Sequence, residues 1–152
     1  MTMNYAINFT GYWREPNVGG MPSSSGIYGV YACTYTAYSN SVSLQRLLYI
    51  GEAADIHARI ANHEGWGEWR RQVGSGEVLC VSAALISGQA NRQHAEAALI
   101  FTHKPPCNTE YKDNFPFDTV TISTTGSNAL MKSIVTAHRT EYPTVAAFAR
   151  RW

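Results

Sequence analysis

The chain has 152 residues, of which 45% are hydrophobic and 15% charged, and its formal net charge is +1 at pH 7. This length suits one domain with a substantial core, and the composition argues against a disordered chain. The low net charge counts mildly against nucleic-acid binding, although a narrow basic groove would be sufficient for it. No apolar run approaches the roughly 20 residues of a membrane-spanning helix, so we expect no association with a membrane.

The start of the chain and its cysteines bear on location. Residues 1–4 lack the basic and long apolar regions of a secretory signal, so none is expected. The three cysteines, Cys33, Cys80 and Cys107, are far apart and odd in number, and they form neither a CxxC pair nor a disulfide framework. We therefore expect reduced thiols and a cytoplasmic protein.

The first third of the chain predicts strands. Residues 4–14 are strand-like but irregular, and the Pro-, Gly- and Ser-rich segment 16–25 indicates a loop. Residues 26–35 and 44–51 are rich in β-formers and predict two strands. The polar segment 37–43 between them is too short for a helical crossover, so the two strands should pair antiparallel.

Helical segments alternate with strands further along. Asp55 is a good N-cap for a helix over 56–64 that ends at Gly65, and 66–73 predicts a second short helix. The remaining predictions are a strand over 77–86, a helix over 90–103 ended by Pro105 and Pro106, an edge strand over 118–123, and helices over 129–139 and 144–152. This order predicts one α+β (α/β) domain over 1–152 with a small mixed sheet, mainly antiparallel, and helices packed on it.

Two short motifs, Gly26-Ile27-Tyr28 and Tyr49-Ile50-Gly51, lie on the two paired strands. Arg59 follows ten residues after Tyr49, and His63 four residues after that. Glu96, on a predicted helix, precedes a loop asparagine, Asn108, by twelve residues. The six candidate site residues are, in order, Tyr28, Tyr49, Arg59, His63, Glu96 and Asn108. This composite pattern resembles the active site of GIY-YIG nucleases, which cleave DNA with a divalent metal ion.

The resemblance covers about residues 25–108, and the segments before and after it are unassigned. It implies a small three-stranded, mainly antiparallel central sheet flanked by helices. It also implies a stand-alone metal-dependent DNA endonuclease that acts on duplex DNA by water attack. Glu96 would be the metal ligand, and Mg²⁺ or Mn²⁺ would be the cofactor, because a single carboxylate suits an ion that keeps much of its hydration.

Each candidate has a functional and a structural interpretation. Arg59 would stabilise phosphate charge, or it is an ordinary exposed helical arginine. His63, expected on the same helix face as Arg59, would hold a tyrosine hydroxyl or take a proton, or it is a histidine favoured by the helix C-terminus.

The tyrosines and the remaining two residues also carry alternatives. By resemblance, Tyr49 is the favoured base and Tyr28 the group that orients the phosphate; the alternative is two packing aromatics. Glu96 could instead pair with Arg92, one helical turn earlier. Asn108 would bond the backbone near the metal ligand, or it is an ordinary turn asparagine.

Two features depart from the family pattern. Twenty residues separate the motif tyrosines, so residues 34–46 are expected to form an inserted flap or recognition loop. Glu52 adds a carboxylate beside the phosphate site, as a second metal contact or an electrostatic penalty. The alternatives to a DNA endonuclease are a catalytically inactive, nuclease-derived DNA-binding or interaction module, and a nuclease acting on RNA.

Overall fold

Six segments rich in β-branched and aromatic residues form one mixed sheet in the computed structural model, which describes residues 1–140. The strands are β1 Met3–Arg14, β2 Gly26–Thr36, β3 Ser41–Ala53, β4 Val78–Leu85, β5 Val120–Gly126 and β6 Ile134–Ala137. Their order across the sheet is β3-β2-β4-β1-β5-β6, so β3 and β6 are the two edges.

The predicted three-stranded antiparallel sheet is wrong. β3, β2 and β4 pair antiparallel, but β4 is not an edge, because β1 pairs antiparallel with its other side. β5 then pairs parallel with β1, and β6 pairs antiparallel with β5. The added strands come from outside residues 25–108, and they cover backbone N–H and C=O groups that a three-stranded sheet would leave open along β4.

Three α-helices cover the two faces of the sheet: α1 Ile56–Ala61, α2 Trp66–Gln72 and α3 Gln89–His103. α3 packs over one face and contributes Ala95 and Leu99 to the larger core. α1 and α2 cover part of the other face, where Ile60 and Trp69 are buried. The sheet therefore lies between the helix of Glu96 and the helix of Arg59.

The helix boundaries follow the predicted signals closely. The Asp55 carboxylate accepts a hydrogen bond from the Ala58 N–H and caps α1, as predicted. α1 ends at Ala61, three residues earlier than predicted, and a short 3₁₀ turn at Glu15–Gly20 lies within the predicted loop.

Two predictions after residue 115 are wrong. β5 is an interior strand rather than an edge strand. The predicted helix over 129–139 contains β6 instead, because the consecutive β-branched residues Ile134, Val135 and Thr136 favour an extended backbone that can pair with β5. The predicted helix over 144–152 lies outside the described residues.

The expected loop over 34–46 is largely regular. β2 and β3 continue their pairing to Thr36 and Ser41, and a turn of four residues joins them, with Asn40 in the left-handed region at φ 47°. The insertion is thus an extended hairpin rather than a flap.

Cys33, Cys80 and Cys107 are free and buried. None of the helices within residues 1–140 is long and apolar enough to cross a membrane.

Candidate active site

The pairing of β2 with β3 brings the two motif tyrosines together. Tyr28 lies opposite Gly51 and Val30 lies opposite Tyr49, so the tyrosines are diagonal neighbours on one face of the sheet. Their ring centroids are 6.2 Å apart, with an interplanar angle of 29°. The prediction that they share a surface is confirmed.

The motif glycines are required by close approach. The Tyr28 ring lies directly over Gly51, and a Cβ atom at Gly51 would overlap the Cζ and Oη atoms of Tyr28. A Cβ atom at Gly26 would overlap the carbonyl oxygen of Ala84 on the neighbouring strand. The two glycines therefore allow the tyrosine to lie flat on the sheet and β2 to pair closely with β4.

His63 adds a third ring to the two tyrosines. It follows the end of α1 rather than belonging to it, so the expectation of one shared helix face with Arg59 is wrong. Its ring centroid is 6.0 Å from that of Tyr28 and 5.4 Å from that of Tyr49, and both contacts are edge-to-face. Trp69 of α2 closes the cluster, with its ring 4.5 Å from that of His63.

The hydrogen bonds of His63 determine its tautomer. The Gly65 N–H donates to Nδ1 at 2.8 Å, so the neutral ring carries its proton on Nε2. The side chain is only 3% exposed, and Nε2 has no partner among the described residues. Burial, with a contribution from the Arg59 charge, lowers the pKa of His63 to about 4. His63 is therefore a neutral donor at physiological pH, and its accepting nitrogen is already occupied.

Arg59 projects from α1 toward solvent and the ring cluster. Its guanidinium binds both carboxylate oxygens of Glu64, at 2.7 and 2.9 Å. This pair lowers the pKa of Glu64 to about 2 and raises that of Arg59. The pair is largely solvent-exposed, so an anionic phosphate could displace the Glu64 carboxylate at small cost.

Glu96 and Asn108 meet Tyr49 at a small polar cavity of about 80 Å³ beside β3. The Asn108 amide bonds the edge of β3 on both sides: Ile50 N–H donates to Oδ1 at 3.0 Å, and Nδ2 donates to Ile50 O at 2.9 Å. Asn108 thus acts as a one-residue strand partner. It holds the segment that contains Tyr49 and Gly51, and its amide is fully used in doing so.

The environment of Glu96 disfavours a free negative charge. Burial raises its pKa to about 8, with further contributions from the charges of Glu52 and Glu110. Arg92 does not neutralise Glu96. It pairs with Glu52 at 2.7 Å and donates to Ser25 Oγ at 2.9 Å, so the alternative Glu96–Arg92 pair is not formed.

Both motif tyrosines are protonated in this environment. Burial is the largest cause that raises the pKa of Tyr28, followed by its neighbour Tyr49, while the Arg59 charge acts in the opposite sense. Burial also raises the pKa of Tyr49, and the Glu96 charge adds to that rise. Tyr28 is 1% exposed, whereas Tyr49 is half-buried and lines the Glu96 cavity.

The cavity fits a hydrated hard cation with one protein ligand. No group of three or more His, Cys, Asp or Glu side chains that could hold a metal ion occurs within residues 1–140. Glu96 offers one carboxylate at a polar cavity that Glu110 also lines, and Glu52, which is paired with Arg92, lies near it. That donor set suits Mg²⁺, which retains several waters, better than zinc.

Several neighbours of the site were not singled out from the sequence, among them Glu64, which pairs with Arg59. Trp69 packs on His63, and Glu110 and Tyr111 line the Glu96 cavity. Glu110 and Tyr111 follow Asn108 almost directly, so their position in the chain was an available signal. Trp69 gave no such signal, because its contact depends on how α2 folds back over the sheet.

No protein-family model matches this chain, and neither the curated proteins nor the solved structures include a significant match to it.

Proposed function

We propose that this protein is a metal-dependent DNA endonuclease of the GIY-YIG type. One observation carries the proposal: Tyr49 belongs both to the ring cluster with Tyr28 and His63 and to the cavity of Glu96 and Asn108. Tyr49 and the Glu96 carboxylate therefore share the cavity at the edge of β3, and the Arg59 charge acts on both tyrosines. The resemblance rests on these residues and not on the sheet, which has six strands.

Tyr49 is the better candidate for the residue that receives a proton from the attacking water. It is partly accessible and lines the cavity, whereas Tyr28 is almost fully buried under the other rings. Tyr28 would orient a phosphate oxygen by donating a hydrogen bond to it from its hydroxyl group. Since the pKa values of both are raised in the free protein, both hydroxyls hold their protons at neutral pH. Tyr49 would first have to lose its own proton to solvent, which nearby positive charge favours, before it could accept one from the attacking water.

Arg59 would meet the negative charge that develops on the phosphoryl oxygens. Its guanidinium is preorganised as a fork by Glu64, and a phosphate offers the same two-oxygen geometry. Exchange of Glu64 for phosphate would release the glutamate to water. His63, as a neutral Nε2–H donor, would hold a hydroxyl or a phosphate oxygen rather than activate water.

Glu96 would hold the cation, Mg²⁺ or Mn²⁺. When bound, such an ion supplies positive charge that polarises the phosphate and stabilises the leaving oxygen. Asn108 keeps the Tyr49 segment of β3 in place but contributes no ligand, because its amide is already paired with Ile50. A cytoplasmic location and duplex DNA as the substrate are part of this proposal.

One observation favours the alternative of an inactive, nuclease-derived DNA-binding or interaction module. In the free protein, Glu64 forms an ion pair with the Arg59 guanidinium, which a phosphate would have to bind. If that pair does not open, the ring cluster and the cavity are remnants of a catalytic site. The Glu64 carboxylate is 74% exposed, and an ion pair that exposed stabilises little, so a phosphodiester could displace it and we favour the enzyme.

A nicking assay tests the proposal. Supercoiled plasmid, single-stranded DNA and RNA would be incubated separately with the protein in Mg²⁺ or Mn²⁺, and in excess chelator. We expect metal-dependent nicking of the plasmid and slower cleavage of the other two substrates. Preferred cleavage of RNA would support the ribonuclease alternative, and binding without cleavage of any substrate would support the inactive module.

A further inference from the structure

A second polar cavity lies at the far end of the β2–β3 hairpin, away from the candidate active site. Its volume is about 410 Å³, which is in the range of small-ligand sites. The hairpin tip forms one wall, and the other is β1 at the point where its register with β4 shifts between Gly11 and Trp13. The side chains that define it are Tyr12, Trp13, Arg14, Asn17, Tyr35 and Asn40.

Arg14 gives this cavity a flat positive group that forms no ion pair within the described residues. Its guanidinium carbon lies 3.7 Å from the centroid of the Tyr35 ring, so one face of the guanidinium is stacked on the tyrosine. The nearby acids are engaged elsewhere: Glu77 by Arg46 and Glu15 by Arg70. Arg14 has no acidic partner within the described part of the chain. Its guanidinium is therefore available to form an ion pair with an anionic group of a ligand.

The side-chain amides of Asn17 and Asn40 also line this cavity. The Tyr35 hydroxyl donates to Asn40 Oδ1 at 3.0 Å, which fixes the Asn40 side chain and leaves its NH₂ group without a partner among residues 1–140. The exposed Asn17 amide also has no partner within that range. Such groups can pair with the hydrogen-bonding edge of a nucleobase.

We propose that this cavity binds one unpaired nucleobase together with its neighbouring phosphate. Guanidinium and aromatic planes stack on a base, amides read its edge, and the Arg14 charge binds the phosphate. A paired base cannot offer its face and edge to a concave site, so the nucleotide must be unpaired. The inference extends the proposed function, because it adds a nucleotide subsite to a nuclease.

The distance between the two sites sets a length scale. Tyr35 lies seven positions after Tyr28 along β2, and a strand rises about 3.3 Å per residue, so the sites lie roughly 23 Å apart along the strand. That is about two-thirds of a turn of duplex DNA. An unpaired nucleotide bound at Arg14 would therefore be held several positions from the phosphate that is cleaved.

Binding of a labelled single strand tests the inference. The wild-type chain would be titrated against a fluorescein-labelled 12-nucleotide DNA strand in EDTA, so that no cleavage occurs, and fluorescence anisotropy would report the affinity. Arg14→Ala should weaken binding about 5- to 150-fold, the range for losing one stacking platform. The matched control is Arg71→Ala, which removes an exposed arginine that is likewise without an acidic partner in the described chain and should have a much smaller effect. Equal losses in both variants would overturn the inference.

Two further variants and a competition complete the test. Tyr35→Phe keeps the ring and loses only the bond that fixes Asn40, so it should bind more weakly than wild type but more tightly than Tyr35→Ala, which should lose as much as Arg14→Ala. If Arg14→Ala does not fold, Arg14→Lys keeps the charge without the plane and should still bind more weakly than wild type; wild-type affinity in that variant would contradict the inference. Competition by mononucleotides would assign the cavity to free nucleotides, and competition by single strands alone would assign it to a DNA strand. Because binding is measured without metal, this result stands or fails separately from the nicking assay.

Discussion

Replacing Asn108 with alanine should destabilise the protein substantially, although Asn108 lies in a loop. Two hydrogen bonds of 3.0 and 2.9 Å join its amide to Ile50, which is fully buried. Each buried polar group left without a partner costs about 1–3 kcal/mol, and two such groups remain after the substitution. Some recovery through water leaves a loss of about 2–4 kcal/mol in the free energy of unfolding, or about 5–15 °C in Tm for a chain of this length.

Urea denaturation followed by circular dichroism measures this loss directly. Asn62→Ala is the matched control, since its side chain is exposed and donates one bond of 3.3 Å to Ala58 O, and it should change stability by no more than about 0.5 kcal/mol. A loss below that value for Asn108→Ala would refute the role of Asn108 as a strand partner.

The isosteric variant Asn108→Asp sharpens the same prediction. Its carboxylate could still accept from Ile50 N–H, but it would face the Ile50 carbonyl oxygen and could bond it only when protonated. The folded-state pKa of the new aspartate would therefore lie above its unfolded value of about 3.9. The stability it contributes would be fully present below that unfolded pKa and lost as pH rises through the folded pKa. A variant whose stability rises with pH over this range would contradict the geometry.

Three further predictions concern the site itself. Gly51→Ala should displace the Tyr28 ring and reduce cleavage strongly, while Gly67→Ala, whose Cβ would meet nothing closer than 3.9 Å, should leave activity unchanged; cleavage rates of the two variants measure this. Arg59→Ala should slow the chemical step by about 10²–10³, whereas a loss confined to substrate affinity would show that Arg59 only anchors phosphate. In metal-free buffer, the stability that Glu96 contributes should be full below its unfolded pKa and fall as pH rises through its folded pKa of about 8. Thermal unfolding across this range should show the fall for wild type and not for Glu96→Gln.

The local parts of the fold were accessible from the sequence. Tyr28 and Tyr49 could be placed on one surface because side chains alternate along paired strands, and the Asp55 cap follows from its side-chain chemistry. The number of strands in the sheet could not be predicted from such local patterns. β1 pairs with strands more than sixty residues away in sequence, and no local pattern specifies those partners.

The ion pairs and proton positions of the site could not be predicted from the sequence either. Arg92 was weighed as the partner of Glu96 one helical turn away, but it pairs with Glu52, forty residues earlier in the chain. The proton position on His63 depends on the Gly65 N–H and on the path of the chain after α1. Such choices are made by tertiary packing, which brings together groups that sequence spacing does not relate.

The most direct test of the proposed nuclease is the rate at which supercoiled plasmid DNA is nicked in Mg²⁺ by the wild-type chain and by Glu96→Gln. The substitution keeps the shape of the side chain and removes the only protein ligand that the account assigns to the metal ion. Asp118→Asn is the control, because it changes a carboxylate that is 54% exposed, pairs with Arg139 and is not part of the cavity. We predict nicking by wild type and by Asp118→Asn, and a rate at least about 10²-fold lower for Glu96→Gln. Equal nicking by wild type and Glu96→Gln, or no nicking by the wild-type chain, would contradict it.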